Sequence, residues 1–178
     1  MLTLANRLTI LRILMTPVIT ILLLYRQIGA ALALFLLAGI TDGLDGLVAR
    51  MWKQQTTLGM VLDPVADKLL LSSTVVTLTI LKELPQWFTI IVVSRDVLII
   101  GGSFVLYMFL GKIGMAPSWW GKSTTGFQLI TVLCAMLDNF FPELKHAILP
   151  LAVVTLAFTI TSGLDYIYKG LRLLGDQA

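Results

Sequence analysis

Four aspartates at fixed intervals are the residues of this chain best suited to chemistry. Asp42 and Asp45 stand three apart and Asp63 and Asp67 four apart, all within the stretch from Thr41 to Leu70, which holds four of the ten acidic residues. On a helix either spacing places both side chains on one face. Two such faces brought together make a carboxylate cluster, and like charges at close range take up protons unless a cation neutralises them. An oxygen-only donor set, with no His or Cys nearby, suits a hard divalent cation (Mg2+, Mn2+ or Ca2+) far better than Zn2+. Gly43, Gly46, Ala49 and Gly59 keep the intervening backbone free of bulk, so a group as large as a nucleotide can lie against it. The plainer alternative is a set of solvated helix-end residues paired with Arg50, Lys53 and Lys68. Charges near membrane depth cost roughly 3 kcal/mol each on insertion scales, which makes four at ordered spacing an expensive accident.

The elements that position these residues must lie in a membrane. With 57% apolar residues, 13% charged residues and a mean hydropathy of +0.92, the chain falls outside the range of soluble globular domains. It reads as a single domain over residues 1–178. A net charge of +3 and a pI near 9.2 are too mild to imply nucleic acid. The single cysteine, Cys134, rules out a disulfide within the chain. Arg7 and Arg12 ahead of an apolar run resemble a signal peptide with a small-residue site at Ala31-Leu32-Ala33. That site falls inside the next apolar segment, so the first run is better kept as a span.

Apolar segments run over Leu8 to Tyr25, Ile28 to Ile40 and on into the aspartate stretch, Met60 to Leu81, Trp87 to Leu110, Trp119 to Leu137, and Ala147 to Tyr168. They predict an all-α, polytopic bundle of six transmembrane helices, the shorter runs reaching the ~20 residues of a span by turning polar residues toward a shared interior. Pro17 is expected to kink the first helix, and Asp63-Pro64 to mark either the start of the third or a bend within it. Turns are expected at Arg26-Gln27, from Lys82 to Pro85, from Gly111 to Pro117 and from Asp138 to Lys145. One side of this bundle collects Arg7, Arg12, Arg50, Lys53, Lys68, Lys112, Lys122, Lys169 and Arg172, and the other only Arg26, Lys82 and Lys145. The basic side is cytoplasmic by the positive-inside rule, so the polar cavity with its aspartates opens to the cytoplasm of a cell (inner) membrane.

Other polar residues fall inside apolar runs. Asn6, Thr9 and Arg12 form an i, i+3, i+6 line that serves either as an interfacial anchor or as the edge of a nucleotide site. Arg95 and Asp96 sit midway through the fourth run, where snorkelling is hardest, and Arg95 is either an acceptor-site cation or the structural partner of a carboxylate. Lys122, in WWGKSTTGFQ, is a second cationic candidate or a positive-inside anchor. Gly101, Gly102 and Ser103 allow close helix contact, between protomers or within one. Trp87, Trp119, Trp120, Tyr166 and Tyr168 read as interface-belt residues, and His146 lies on the far side from the chemistry.

Written out, Asp42-x2-Asp45-Gly46-x2-Ala49-Arg50-x8-Gly59-x3-Asp63-x3-Asp67 resembles the signature of the CDP-alcohol phosphotransferase family at every fixed position and spacing. The "N-x-LT-x2-R" opening at Asn6 to Arg12 and the order of apolar segments extend the resemblance over nearly the whole chain. The resemblance implies an enzyme that moves a phosphatidyl group from CDP-diacylglycerol to an alcohol and releases CMP. It implies two divalent cations, Mg2+ or Mn2+, on Asp42, Asp45 and Asp63, with Asp67 as a further ligand or as the general base. It places the cytidine diphosphate against Gly46, Ala49 and Arg50, with Asn6 and Thr9 at its edge, and it implies a homodimer. Glycerol 3-phosphate is the first expectation for the acceptor, with Arg95 and Lys122 as its contacts. Phosphatidylglycerol is the alternative, suggested by RDVLIIGG and by the single Lys of GKSTT. A divalent-cation transporter is the rival from another class. It is disfavoured because the outer half offers only Glu83, Asp138 and Glu143 in loops.

Overall fold

The computed structural model describes the backbone of residues 4–52, 57–110 and 119–175, and the side chains of 9–41, 65–102, 108 and 119–169. Among these residues every regular element is helical: α1 (Leu4–Leu24), α2 (Ile28–Trp52), α3 (Thr57–Ile80), α4 (Gln86–Leu110), α5 (Trp119–Leu137), a 3-10 turn at Pro142–Leu144, and α6 (Lys145–Gly175). The chain divides into two units, Met1–Glu83 and Leu84–Ala178.

In the first unit α1 packs against both α2 and α3. The seam is built at heptad-like spacing: Ile28, Ala31, Phe35 and Ala38 of α2 are buried, as are Ile19 and Leu23 of α1 and Leu71, Val75 and Leu78 of α3. Alternating large and small residues along α2 lets the helices interdigitate. At the other end of the same helices the buried residues turn polar, with Thr9 and Arg12 on α1.

Helices α1 and α3 stop in the same way. The Arg26 N–H donates to the Leu23 carbonyl and the Gln27 N–H to that of Leu22, both at 2.9 Å; Lys82 donates to Thr79 at 3.0 Å and Glu83 to Leu78 at 2.9 Å. These are paired 5→2 and 6→1 bonds around a left-handed residue, with Arg26 at φ 59° and Lys82 at φ 64°. Glycine usually takes this position. Here a basic residue does, and its charge complements the negative end of the helix. Arg26 then reaches Glu83 at 3.0 Å and clamps the two turns together.

In the second unit α6 packs against α5 and α4. Thr124 of α5 bonds the Phe158 carbonyl of α6 and Thr131 meets Thr155, so α5 and α6 are antiparallel. Arg95 bonds Ser162, and the ring of Tyr166 lies where a Cβ on Gly102 would stand, so α4 and α6 are parallel. The α6 stripe changes character along its length, from Ile148 and Ala152 to Thr155, Thr159 and Ser162, all buried.

Beside this apolar core the interior holds many polar side chains, and many large apolar ones are exposed. Threonines, Gln128, Arg95 and Asp96 are inside, while Leu14, Ile21, Leu37, Ile80, Ile90, Val97, Leu98, Leu149 and Leu164 face outward. Helical hydroxyls donate to the carbonyl one turn back, as at Thr16, Thr20, Thr74, Thr77, Thr124 and Thr159, and so need no water. Judged on length and hydropathy alone, one stretch of the described residues is sufficient to cross a membrane, Pro142–Lys169; Thr9–Leu24 and Ile28–Thr41 are shorter apolar helices. The expected turns at Arg26-Gln27, Lys82 to Pro85 and Asp138 to Lys145 are present, and that from Gly111 to Pro117 lies outside the described residues. Helix α3 begins at Thr57, well before Asp63, so Asp63-Pro64 lies within the helix and does not cap it.

Candidate active site

Helices α2 and α3 carry the aspartate signature through their adjoining ends. Positions 42, 45, 46, 49 and 50 belong to the last half of α2, and 63 and 67 to the first half of α3. Both expected pairs are therefore one turn apart on helical backbone. The side chains of Asn6, Asp42, Asp45, Ala49, Arg50 and Asp63 lie outside the described ones, as do Lys53 and Lys112.

Asp67 is described. Its carboxylate, 47% exposed, accepts from Arg12 Nη1 at 2.5 Å, and Arg12 itself is only 3% exposed. Thr9, one turn earlier on α1, is equally buried. Of the Asn6, Thr9 and Arg12 line, the two described members therefore face the unit's interior, and Arg12 reaches the signature at Asp67. A half-exposed carboxylate is an oxygen donor of the kind a hard divalent cation takes, although among the described residues no three potential ligands come together.

The acceptor-side candidates differ from each other. Arg95 is buried and holds two partners, Asp96 Oδ1 through Nη1 at 2.9 Å and Ser162 Oγ through Nη2 at 2.8 Å. This is the structural-pair geometry, and it also ties α4 to α6. Asp96 neutralises its charge; Nε–H has no partner. Lys122 is exposed near the start of α5.

The structure also brings in residues that the sequence patterns do not single out. Ser162 completes the arginine's setting. Tyr166, named above for its place near the end of an apolar run, packs on α4: a Cβ built on Gly102 would stand 2.8 Å from its Cε1. Gly102 thus serves contact within the protomer, while nothing lies within 4 Å of the corresponding point on Gly101. Gln128 is fully buried. The only sequence signal for it is the Thr124, Gln128, Thr131 spacing of i, i+4, i+7 on an otherwise apolar helix.

The aspartate signature thus lies on two helices that share α1 as a neighbour. The family model for CDP-alcohol phosphatidyltransferase matches residues 2–160, and the chain belongs to that family of membrane-associated enzymes. A Mycobacterium tuberculosis protein named "Probable phosphatidylglycerophosphate synthase" is 35% identical over 97% of this chain and 83% of its own. The Bacillus subtilis "CDP-diacylglycerol–glycerol-3-phosphate 3-phosphatidyltransferase" is 32% identical over 98% of both. The human "Cardiolipin synthase (CMP-forming)" is 34% identical over 94% of this chain, which spans 62% of that protein.

Proposed function

We propose that this chain transfers the phosphatidyl group of CDP-diacylglycerol to the primary hydroxyl of glycerol 3-phosphate, releasing CMP. The observation that carries it is the complete aspartate signature laid over the adjoining ends of α2 and α3, both packed on α1. Asp42, Asp45, Asp63 and Asp67 hold two divalent cations, Mg2+ or Mn2+, which when bound neutralise the pyrophosphate and stabilise charge on the departing CMP. Gly46, Ala49, Arg50, Asn6 and Thr9 take the cytidine diphosphate, Arg50 by a charge-assisted contact to phosphate. Arg12 orients Asp67, which serves as ligand or as base toward the acceptor hydroxyl.

In this reading all six helices cross the cell membrane as one bundle, with the signature on the cytoplasmic side and lipid against the outward apolar faces. A homodimer fits the open surface around Gly101.

One observation favours phosphatidylglycerol as the acceptor instead. A dianionic phosphate asks for several converging cations, and Arg95 is already neutralised by Asp96. Lys122 is then the acceptor-side charge. Purified protein given CDP-diacylglycerol and each acceptor in turn decides between them: CMP release with glycerol 3-phosphate is expected, and release with phosphatidylglycerol alone assigns the second reading. No release with either refutes both.

A further inference from the structure

Between the two ion pairs that join α1 to α3 lies a proline. Arg12 meets Asp67 toward one end and Arg26 meets Glu83 at the other, across 55 and 57 positions of the chain, so the two helices run parallel and nearly in register. Pro17 falls between Arg12 and Arg26, inside a helix that runs unbroken from Leu4 to Leu24. A proline in a helix interior removes one backbone bond and presses its ring on the carbonyl four residues back, which is why such positions bend. Here that carbonyl belongs to Ile13, the residue after Arg12.

The direction of the bend follows from the face that Pro17 occupies. Pro17 is exposed, and helical geometry sets it about 140° around α1 from Arg12 and about 160° from Ile19, both of which are buried. A helix bends away from its proline ring, so the turns that carry Thr9 and Arg12 lean toward the interior of the unit, where α3 lies. Two hydroxyls reinforce the same stretch: Thr16 Oγ1 donates to the Arg12 carbonyl and Thr20 Oγ1 to the Thr16 carbonyl, each at 3.0 Å. Back-bonding of this kind often bends helices, and the first of these bonds ends on the backbone of Arg12 itself.

The size of the displacement decides whether the bend matters. Arg12 lies about 7.5 Å along the axis from Pro17 at 1.5 Å per residue, so removing a kink of about 20° moves its Cα by roughly 2–3 Å. That is as much as the whole separation of Arg12 Nη1 from Asp67 Oδ1, 2.5 Å, and the arginine side chain, only 3% exposed, has little room to follow. At the far end the paired bonds around Arg26 and its contact with Glu83 hold α1 to α3 whatever the kink does.

We propose that Pro17 is a positioning residue for phosphatidyl transfer: the bend it imposes on α1, supported by Thr16, delivers Arg12 to Asp67 and so fixes the aim of that carboxylate. The inference rests on the phosphatidyl-transfer reading and adds to it a residue on the face of α1 opposite the contact that it controls.

The test uses the full chain with Pro17→Ala, Thr16→Val and Thr16→Ser, and reads distance, kinetics and Tm. Spin labels on cysteines replacing Leu11 and Leu69, both exposed, in a Cys134→Ser background report the separation at the Arg12–Asp67 end, and labels replacing Leu24 and Ile80 report the clamped end. Pro17→Ala should lengthen the first distance by about 2–3 Å and leave the second unchanged. CMP release with the acceptor that wild type uses should fall about tenfold in kcat, with KM for CDP-diacylglycerol and for the acceptor within about twofold, because the contact steadies a reacting group and not a binding surface. Tm should hold or rise, since alanine is the far better helix former, whereas a packing defect would lower Tm and kcat together. Thr16→Val should act in the same direction by less, and Thr16→Ser, which keeps the hydroxyl, should match wild type. In an Arg12→Lys background Pro17→Ala should cost little more, since both changes act on one contact. An unchanged first distance, a fall in Tm alongside kcat, or a Pro17→Ala effect undiminished by Arg12→Lys overturns the proposal. A wild type that releases no CMP with either acceptor refutes the phosphatidyl-transfer reading and with it any role of Pro17 in that reaction, while an unchanged distance beside normal CMP release by wild type refutes this inference alone.

Discussion

Arg12 of α1 and Asp67 of α3, 55 positions apart in the chain, form an ion pair with the arginine buried and the carboxylate half exposed. The asymmetry sets the division of labour: the buried partner is held by the helices, and the exposed partner is presented by it.

Asp67→Asn should therefore reduce both turnover and stability, since it removes the charge that Arg12 Nη1 meets on α3. Arg12→Lys should preserve charge but lose the planar fork that fixes the carboxylate. A drop of about tenfold or more in kcat for Arg12→Lys, with Tm lowered less than in Asp67→Asn, is the expected outcome. Full activity in Arg12→Lys would mean that orientation of Asp67 does not matter.

Metal dependence follows from the donor set. EDTA should abolish CMP release, and Mg2+ or Mn2+ should restore it where Zn2+ does not. Asp42→Asn, Asp45→Asn and Asp63→Asn should each lower turnover by about a hundredfold or more, consistent with loss of metal-supported charge stabilisation. Turnover that persists in EDTA would refute the two-cation mechanism.

The Arg95 setting predicts an order of stabilities. Ser162→Ala removes one bond to a charged group, about 1.5–3 kcal/mol. Asp96→Asn leaves a buried guanidinium uncompensated, about 3–5 kcal/mol. Thermal unfolding in detergent should rank wild type above Ser162→Ala above Asp96→Asn. A reversed order would show that Asp96 is not the arginine's main support.

Adjacent glycines on α4 should respond in opposite ways. Gly102→Ala drives a methyl into the Tyr166 ring and should destabilise by about 1 kcal/mol, within the lower range for overpacking. Gly101→Ala meets nothing within 4 Å and should be neutral or gain up to ~1 kcal/mol of helix propensity. Comparing Tm for the two alanine variants checks this, and Gly102→Ala combined with Tyr166→Ala should recover part of the loss.

Topology is open to direct labelling. In a Cys134→Ser background, a cysteine at 145 should react with an impermeant reagent from outside intact cells and one at 53 should not. Reaction at 53 from outside would place the signature in the wrong compartment for a cytoplasmic nucleotide.

Helix number and most turns are legible in the sequence because apolar runs and breakers such as Pro85 report local preference. The extension of α2 to Trp52 is less visible: hydropathy falls at Thr41, while the backbone stays helical through the aspartates. Partner identity is not legible. Arg12 stands out as a charge in an apolar helix, yet nothing local selects Asp67 over any other carboxylate. Arg95 beside Asp96 suggests its own partner, and the pairing is found. The packing of Gln128 and Tyr166 is not legible either, because what faces them lies across a helix boundary.

The Arg26–Glu83 clamp joins the turn after α1 to the turn after α3, beside the apolar end of the seam. Two rods fastened at one end behave as a pivot, so any splaying of α1 from α3 is smallest there and grows toward Arg12 and Asp67. Any such splaying would therefore begin by stretching the contact that aims the carboxylate.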